Sequence, residues 1–413
     1  MTTAAPTAAF TAYPCARASE TYAFTKACKI GRMAGPIERI VDSAANAWDM
    51  LPVVGDGLAD MSRMPSAIID QGPQRTVHRY RLPRRAQAHS PVLLVPPLAA
   101  PASCFDLRRG CSVAEHLIAL GRPTYLVDYG PIGWSDRALG LEHWVEDVIP
   151  NAIDAVSDDA DGAPVQLVGW CLGGIMSMLA VAGHAQLNVS SIALIASPFD
   201  FTRLTMAAPI RQLAEITDGH IVTALYRAMG GAPAPLVSLA FQATALDKRL
   251  TKPLTVVRNL HDRDLLAHIE AVDDYMANML AYPGRTFGQL YHRFFLVNEL
   301  AEGRLGISDD RSIDLADVKI PVLTVAGDND VLAPKEAVHH LAGLLPNSPD
   351  VRVETAPGGH LGVLTGRSAR RKTWRHLDQF LTDYDVSPPP KPRRKAAQRA
   401  NGRPEQAASP APA

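Results

Sequence analysis

Short apolar runs alternate with longer segments of helical periodicity along much of this chain. Runs that are apolar at nearly every position are typical of parallel strands covered on both faces. They occupy residues 91–95, 124–129, 165–168, 190–196 and 321–326. The segments 113–120 and 144–157 lie between them and space their apolar residues as an amphipathic helix does. The alternation predicts βαβ units and a mostly parallel central sheet.

Further elements are predicted at the two ends of this pattern. Alternation over residues 76–82 predicts an early edge strand, and the pattern at 351–354 predicts a late strand. Apolar residues on one face of 368–381 predict a final helix. A similar stripe predicts a helix at about 36–60, packed on the main domain rather than on a membrane or a partner.

The strand signal stops after residue 202. Residues 203–300 are helix-like throughout and contain no convincing buried strand. Their aromatic residues are Tyr226, Phe241, Tyr275, Phe287, Tyr291, Phe294 and Phe295. An insertion of this kind after the sixth strand predicts a helical cap over the active edge of the sheet.

These patterns divide the chain into five parts. We expect a partly disordered N-terminal segment, two parts of one α/β core separated by the cap, and a disordered basic tail. In order, they are residues 1–75, 76–202, 203–300, 301–385 and 386–413. We expect the tail to be solvated rather than bound to nucleic acid.

Composition excludes several classes of protein. With a net charge of -1, the 413-residue chain has no strong overall field that would attract nucleic acid. Its five cysteines form no Cys-x-x-Cys pair, so neither a zinc site nor a disulfide framework is predicted, and reduced thiols in a cytoplasm fit best. We expect no membrane span, because no apolar run is long enough to cross a bilayer. We expect no signal peptide, because the N-terminus lacks a basic region followed by an apolar one.

The first candidate for chemistry is the segment Gly169–Gly174, which reads Gly-Trp-Cys-Leu-Gly-Gly. It follows a predicted strand and precedes a small-residue helix, as a nucleophile elbow does, with Cys171 at the position of the nucleophile. A helix N-terminus favours the thiolate form of a cysteine. The alternative is an ordinary glycine-rich turn with a buried cysteine.

An activated cysteine needs a base and an acid that orients the base, and candidates for both follow predicted strands later in the chain. Asp328 and Asp330 come directly after the strand at 321–326, and Asp330 is favoured because it precedes the start of the next helix. His360 lies between glycines after the last strand. The order nucleophile, acid, histidine is that of the α/β hydrolases. We therefore predict an α/β-hydrolase fold with a mostly parallel sheet, a helical cap and a Cys171–Asp330–His360 triad.

The oxyanion hole requires two backbone N–H groups. One belongs to Leu172, next to the nucleophile, and the other to the loop after Val95. Since Pro96 and Pro97 carry no N–H, the second donor is Leu98 or Ala99, and we prefer Ala99.

A cysteine nucleophile favours thioester substrates. Transfer of an acyl group from a thioester to Cys171 is nearly thermoneutral, and the bound acyl group stays activated for a downhill transfer to an alcohol. His360 would deprotonate the thiol first and the alcohol second. A thioesterase uses the same first step, so exclusion of water would separate transfer from hydrolysis.

Over about residues 90–385 the sequence resembles the polyhydroxyalkanoate synthases. Its Gly169–Gly174 segment is similar to the Gly-x-Cys-x-Gly-Gly box of that family. Further similar segments are 94–97, 106–107, 125–131, 196–201, 298–300 with Gly303, 314–321, Asp330 and Gly359–His360. The length is closer to that of the shorter synthases, which work with a separate accessory subunit.

The resemblance implies a function and a set of partners. Cys171 would accept the acyl group of an (R)-3-hydroxyacyl-CoA, with Asp330 as the triad acid and His360 as the base, and a hydroxyl would take the acyl group to extend a polyester. No cofactor is implied beyond the CoA thioester that serves as substrate, and no metal. An accessory synthase subunit, a second copy of the chain and the surface of a polyester granule are the implied partners, in the cytoplasm.

The chain departs from the family pattern at several positions. Val331 stands where the family has a histidine, Leu98 replaces a tryptophan, and Ala99–Ala102 replaces an aromatic-rich stretch. Pro334-Lys335 replaces the usual Pro-Trp. The triad remains intact, but two alternatives stay open. One is a cysteine hydrolase, namely an esterase, an acyl-CoA thioesterase or a polyester depolymerase; the other is a non-enzymatic subunit that binds a granule or a partner, against which the triad argues.

Overall fold

The computed structural model describes residues 35–50, 57–83, 89–204, 220–243, 246–308 and 311–386. Most of the predicted N-terminal segment and nearly all of the predicted basic tail lie outside these ranges. Among the described residues, no helix is both long enough and apolar enough to cross a membrane.

The sheet is built from strands that carry the predicted apolar runs. In chain order the strands are β1 (Ser66–Gly72), β2 (Arg75–Tyr80), β3 (Val92–Val95), β4 (Thr124–Asp128), β5 (Val165–Trp170), β6 (Val189–Ile195), β7 (Gly231–Ala232), β8 (Tyr282–Pro283), β9 (Arg304–Gly306), β10 (Ser312–Asp314), β11 (Val322–Gly327) and β12 (Val351–Ala356). Eight of them form one sheet in the order β1-β2-β4-β3-β5-β6-β11-β12. All neighbours from β4 to β12 pair in parallel, whereas β2 pairs antiparallel with both β1 and β4. The predicted, mostly parallel sheet is therefore confirmed.

Helices follow the strands as the βαβ pattern requires. In chain order they are α1 (Pro36–Asp49), α2 (Val113–Ala119), α3 (Ile149–Asp159), α4 (Leu172–Gly183), α5 (His220–Met229), α6 (Ala234–Ala243), α7 (Leu246–Arg258), α8 (Arg263–Ala277), α9 (Gly284–Gln289), α10 (Lys335–His339), α11 (Gly362–Thr365) and α12 (Thr373–Asp383). The helices α5 to α9 lie between β6 and β11, where the sequence pattern is helix-like.

The two faces of the sheet are covered by different helices. Along β3, Leu93 packs into a buried cluster with α3 and α4, while its neighbour Leu94 packs into a second cluster with α2 and α12. Leu167 and Val168 of β5 divide in the same way. Because successive side chains of a strand point to opposite faces, a strand buried on both sides is apolar at nearly every position.

Some elements differ from the expectation. Strand β1 lies outside the predicted set, and helix α1 ends at Asp49 rather than near residue 60. The predicted helix over 144–157 begins as a π-helical segment at His143–Val148 before it continues as α3. In the segment 203–300, where no strand was expected, β7 and β8 form a two-residue antiparallel pair.

Candidate active site

Cys171 lies on a strained turn between β5 and α4. Its φ is 54° and its ψ is −126°, a conformation that a residue with a side chain adopts only when the surrounding structure enforces it. The backbone N–H of Cys171 donates to the carbonyl of Ile195 on the neighbouring strand at 2.9 Å, which fixes the turn to the sheet. The Cys171 side chain is partly exposed and contacts both buried clusters. The strand–turn–helix geometry is therefore that of a nucleophile elbow.

Glycines at fixed positions make this turn sterically feasible. A Cβ at Gly169 would lie 2.4 Å from the Cα of Gly174, so the strand and the helix touch backbone to backbone. A Cβ at Gly173 would lie 2.3 Å from the carbonyl oxygen of Val95 and 2.4 Å from that of Pro96. The second contact brings the loop after β3 directly against the start of α4.

We expect Gly173→Ala to lower both stability and activity. The added methyl group collides with two backbone oxygens that no side-chain rotation can move, so the loop or the helix has to shift, at a cost of about 1–3 kcal/mol in the free energy of unfolding. Gly343→Ala is the matched control, because a Cβ there meets no atom within 4 Å. Denaturant unfolding and CoA release from an acyl-CoA would check both; equal stability of the two variants would contradict the expectation.

Asp330 and His360 are brought together by the loops after β11 and β12. The Asp330 carboxylate accepts a hydrogen bond from His360 Nδ1 at 2.8 Å, and its second oxygen accepts the backbone N–H groups of Leu332 and Ala333, each at 2.9 Å. The Asp330 side chain is fully buried, whereas Asp328 is exposed. Of the two acids that the sequence offers, the structure thus pairs Asp330 with the histidine.

The charge of Cys171 also acts on His360. Burial by itself lowers the pKa of His360, but the negative charges of Cys171 and Asp330 outweigh it and raise that pKa to about 10. The size of this effect places the Cys171 side chain close to the imidazole. With Nδ1 engaged by Asp330, the remaining ring nitrogen, Nε2, is the one able to exchange a proton with the thiol.

We expect Cys171→Ala to lower the pKa of His360, because the charge of Cys171 contributes the largest upward shift. The raised pKa of His360 also affects the stability of the fold. A pKa that is higher in the folded than in the unfolded chain stabilises the fold below about pH 6.5, and this contribution is lost as the pH rises through about 10. NMR titration of the labelled imidazole in the wild type and in Cys171→Ala would check the shift. An unchanged pKa would contradict the pairing.

The predicted oxyanion donors lie in the two segments that Gly173 brings into contact. Leu172 is the first residue of α4, where backbone N–H groups have no partner within the helix. Ala99 follows β3 and has a φ of 59°, so the loop turns sharply at this residue. The hydroxyl of Tyr129 donates to the carbonyl of Pro96 at 3.0 Å and holds the start of the same loop.

Aromatic residues complete the surroundings of the candidate triad. The ring of Trp170 lies 5.1 Å from that of His360, and its Nε1 donates to the His360 carbonyl at 3.2 Å, which positions the histidine loop. Tyr275 of α8 is 3% exposed, and its ring lies 6.4 Å from that of Trp170. Burial and the charges of Cys104 and Cys171 raise the pKa of Tyr275. Burial and the charge of Cys171 also raise the pKa of Tyr282 in β8.

These aromatic residues were not among the predicted site residues. Trp170 lies inside the elbow motif and directly precedes Cys171, so the sequence alone indicates that it belongs near the site. Tyr275 and Tyr282 lie more than a hundred residues from the elbow, and their contact with it depends on how the helices between β6 and β11 fold back over the sheet.

A nucleophile elbow on a mostly parallel sheet, followed along the chain by an acid loop and a histidine loop, defines an α/β hydrolase. A family model described as "alpha/beta hydrolase fold" matches residues 90–367, so the chain belongs to that family and the predicted fold is confirmed.

Within that family, the chain is similar to three proteins that share the name Poly(3-hydroxyalkanoate) polymerase subunit PhaC. The protein from Synechocystis sp. is 27% identical over 286 residues, which cover 68% of this chain and 74% of that protein. The Allochromatium vinosum protein is 25% identical over 78% of this chain and 90% of its own length. The Haloferax mediterranei protein is 23% identical over 83% of this chain and 68% of its own. The resemblance to polyhydroxyalkanoate synthases is confirmed.

Proposed function

We propose that the protein is an acyltransferase of the polyhydroxyalkanoate synthase type. It forms an acyl thioester at Cys171 from an (R)-3-hydroxyacyl-CoA and transfers the acyl group to a hydroxyl. The observation that carries the proposal is the 2.8 Å hydrogen bond between Asp330 and His360, in a site where the imidazole also interacts with a thiol at a nucleophile elbow. No metal ion and no cofactor take part, and CoA enters as part of the substrate.

In the first half of the reaction, His360 accepts the thiol proton of Cys171, and the sulfur attacks the acyl carbonyl of the substrate. The negative charge that develops on the carbonyl oxygen is stabilised by the N–H groups of Leu172 and Ala99. When the tetrahedral intermediate collapses, the bond to the CoA sulfur breaks and His360 returns the proton to that sulfur. One thioester has replaced another, so this half is close to thermoneutral.

In the second half, the 3-hydroxyl of another acyl group attacks the thioester. His360 removes the hydroxyl proton, the same two N–H groups stabilise the oxyanion, and the Cys171 sulfur leaves as a thiol after protonation. An oxygen ester replaces a thioester, which makes this half downhill. Repetition lengthens a polyester chain.

Exclusion of water would direct the acyl group to a hydroxyl. Two features of the fold support the cap as the element that excludes water. The backbone N–H of Leu280, which lies between α8 and β8, donates to the carbonyl of Ala99 at 2.9 Å. Tyr275 and Tyr282 are buried and lie close enough to Cys171 for its charge to act on their hydroxyls, which places aromatic rings from this part of the chain near the nucleophile.

Two proposals on partners follow from the relatives. Their name describes a polymerase subunit, which supports an accessory subunit for this chain. A homodimer is proposed only by analogy with the polyhydroxyalkanoate synthases. A growing polyester would keep the enzyme at the surface of a polymer granule. No specific nucleic acid is proposed as a partner.

The proposal is tested by giving the purified protein 3-hydroxybutyryl-CoA and following CoA release together with the acyl product. Polymer that accumulates in proportion to released CoA is the expected result. Free 3-hydroxybutyrate in equal amount would show a thioesterase instead. No CoA release with acyl groups of several lengths, in the presence and absence of the accessory subunit of a relative, would overturn the proposal.

A further inference from the structure

A basic groove lies between the cap and the segment after β4. Its volume is about 410 Å³, within the range of small-molecule sites. The groove is lined by the end of α5, by α9 and the π-helical segment Leu290–Leu296 that follows it, and by one residue of the segment after β4. The lining side chains that carry its chemistry are Arg137, Tyr226, Arg227, Arg285, His292 and Arg293.

Two of the four arginines are neutralised by carboxylates. Arg285 pairs with Glu142 at 2.9 Å, and Arg293 pairs with Glu299 at 3.2 Å. The other two, Arg137 and Arg227, give the groove its net positive charge.

Arg137 and Arg227 have no carboxylate partner among the described residues. The guanidinium of Arg137 lies 5.2 Å from the centre of the Trp134 ring and donates to the Trp134 carbonyl at 3.0 Å, which leaves further N–H groups unused. Burial and the positive charge of Arg227 lower the pKa of His292, so the charge of Arg227 is felt inside the groove. Two uncompensated guanidinium groups across a concave surface favour an anion with several oxygens, above all phosphate.

A row of aromatic rings joins this groove to Cys171. Tyr282 packs against the same buried clusters as Cys171, and the charge of Cys171 acts on its hydroxyl. The Tyr282 ring lies 6.0 Å from that of Phe287, which lies 5.6 Å from that of Tyr226 in the groove wall. Two ring-to-ring steps therefore lead from Tyr282, near the nucleophile, to the wall of the groove. The pantetheine arm of CoA, roughly 15 Å when extended, suits such a span, since its length is that of a few extended residues.

We propose that this groove binds the phosphates of the nucleotide part of the acyl-CoA, while the pantetheine arm follows the aromatic row to Cys171. Arg137 and Arg227 supply the charge-assisted hydrogen bonds to phosphate oxygens. The inference rests on the proposed function for the identity of the ligand, but the groove itself is testable without turnover.

Binding is the first test. Free CoA, 3′-phosphoadenosine 5′-phosphate and pantetheine would be titrated calorimetrically into the full-length wild type and into Arg137→Gln, Arg227→Gln and the double variant. We expect each single variant to weaken CoA and the nucleotide about tenfold, the loss of one charge-assisted contact, and to leave pantetheine unchanged. Arg375→Gln on α12, an exposed arginine outside the groove, is the matched control and should bind like the wild type. Thermal unfolding would verify that all variants fold.

Turnover is the second test, because it distinguishes phosphate binding in the groove from the reaction at Cys171. With an acyl-CoA, the groove variants should raise KM about tenfold and leave kcat unchanged. With the N-acetylcysteamine thioester of the same acyl group, which carries no phosphate, neither constant should change. Equal CoA binding by the wild type and the double variant, or an equal rise in KM for both substrates, would overturn the proposal that the groove binds the phosphates. Arginine-dependent CoA binding without turnover of either thioester would support phosphate binding in the groove and would overturn the proposed function.

Discussion

Cys171→Ala is expected to abolish formation of the acyl-enzyme and to reduce CoA release by about 10⁴-fold or more. The covalent route depends wholly on the thiol, and removal of a nucleophile leaves only the modest rate supplied by binding and by the oxyanion donors. Intact-protein mass spectrometry after rapid mixing with 3-hydroxybutyryl-CoA would detect the acyl adduct in the wild type and its loss in the variant. Stopped-flow detection of free CoA would measure the rate of the same step.

Cys111→Ala is the matched control for this experiment. Its thiol is 1% exposed and donates to the carbonyl of Thr365, so its removal takes away a cysteine without touching the elbow. We expect the adduct to persist in Cys111→Ala. An adduct that persists in Cys171→Ala would place the nucleophile elsewhere and would refute the mechanism.

Asp330→Asn is the second variant with a large expected effect, a fall in kcat of about 10³- to 10⁴-fold with little change in stability. The amide oxygen of asparagine still accepts the N–H groups of Leu332 and Ala333, so the loop keeps its shape. The amide nitrogen, however, donates to His360 Nδ1 and forces the ring proton onto Nε2. In that tautomer the imidazole has no free nitrogen to receive the thiol proton.

The neighbouring acid gives a direct comparison. Asp328→Asn changes the same chemical group two residues away, but Asp328 is exposed and Asp330 alone contacts the histidine. Steady-state CoA release should separate the two variants by at least a thousandfold, with melting temperatures within a few degrees of each other. Similar activities would mean that the hydrogen bond of Asp330 to His360 has no catalytic role.

The parts of the fold that follow local rules could be predicted from the sequence. β3 and β5 are buried on both faces, which forces apolar residues at nearly every position and makes the runs visible. The elbow was recognisable because its close backbone contacts require Gly169 and Gly173. Asp330 and His360 followed because the carboxyl ends of parallel strands meet at one edge of a sheet.

The parts that depend on tertiary contacts could not be predicted in this way. β1 has mostly exposed positions and contains Asp70 and Gln71, so it lacks the apolar run on which the strand predictions relied. Helix α1 is largely exposed, and the pattern alone does not mark its end at Asp49. The arginines of the groove come from segments that lie far apart along the chain, and only the folded cap brings their side chains to one surface.

The hydrogen bond from Leu280 to Ala99 joins the cap to the loop that carries the predicted oxyanion donor, so the position of each depends on the other. A movement of the cap that admitted bulk solvent would break this bond and free the loop that carries the proposed donor Ala99. The enzyme would then be least reactive at the moment when water has access to the thioester. Such an interlock would protect a stored acyl group by timing rather than by a permanent seal.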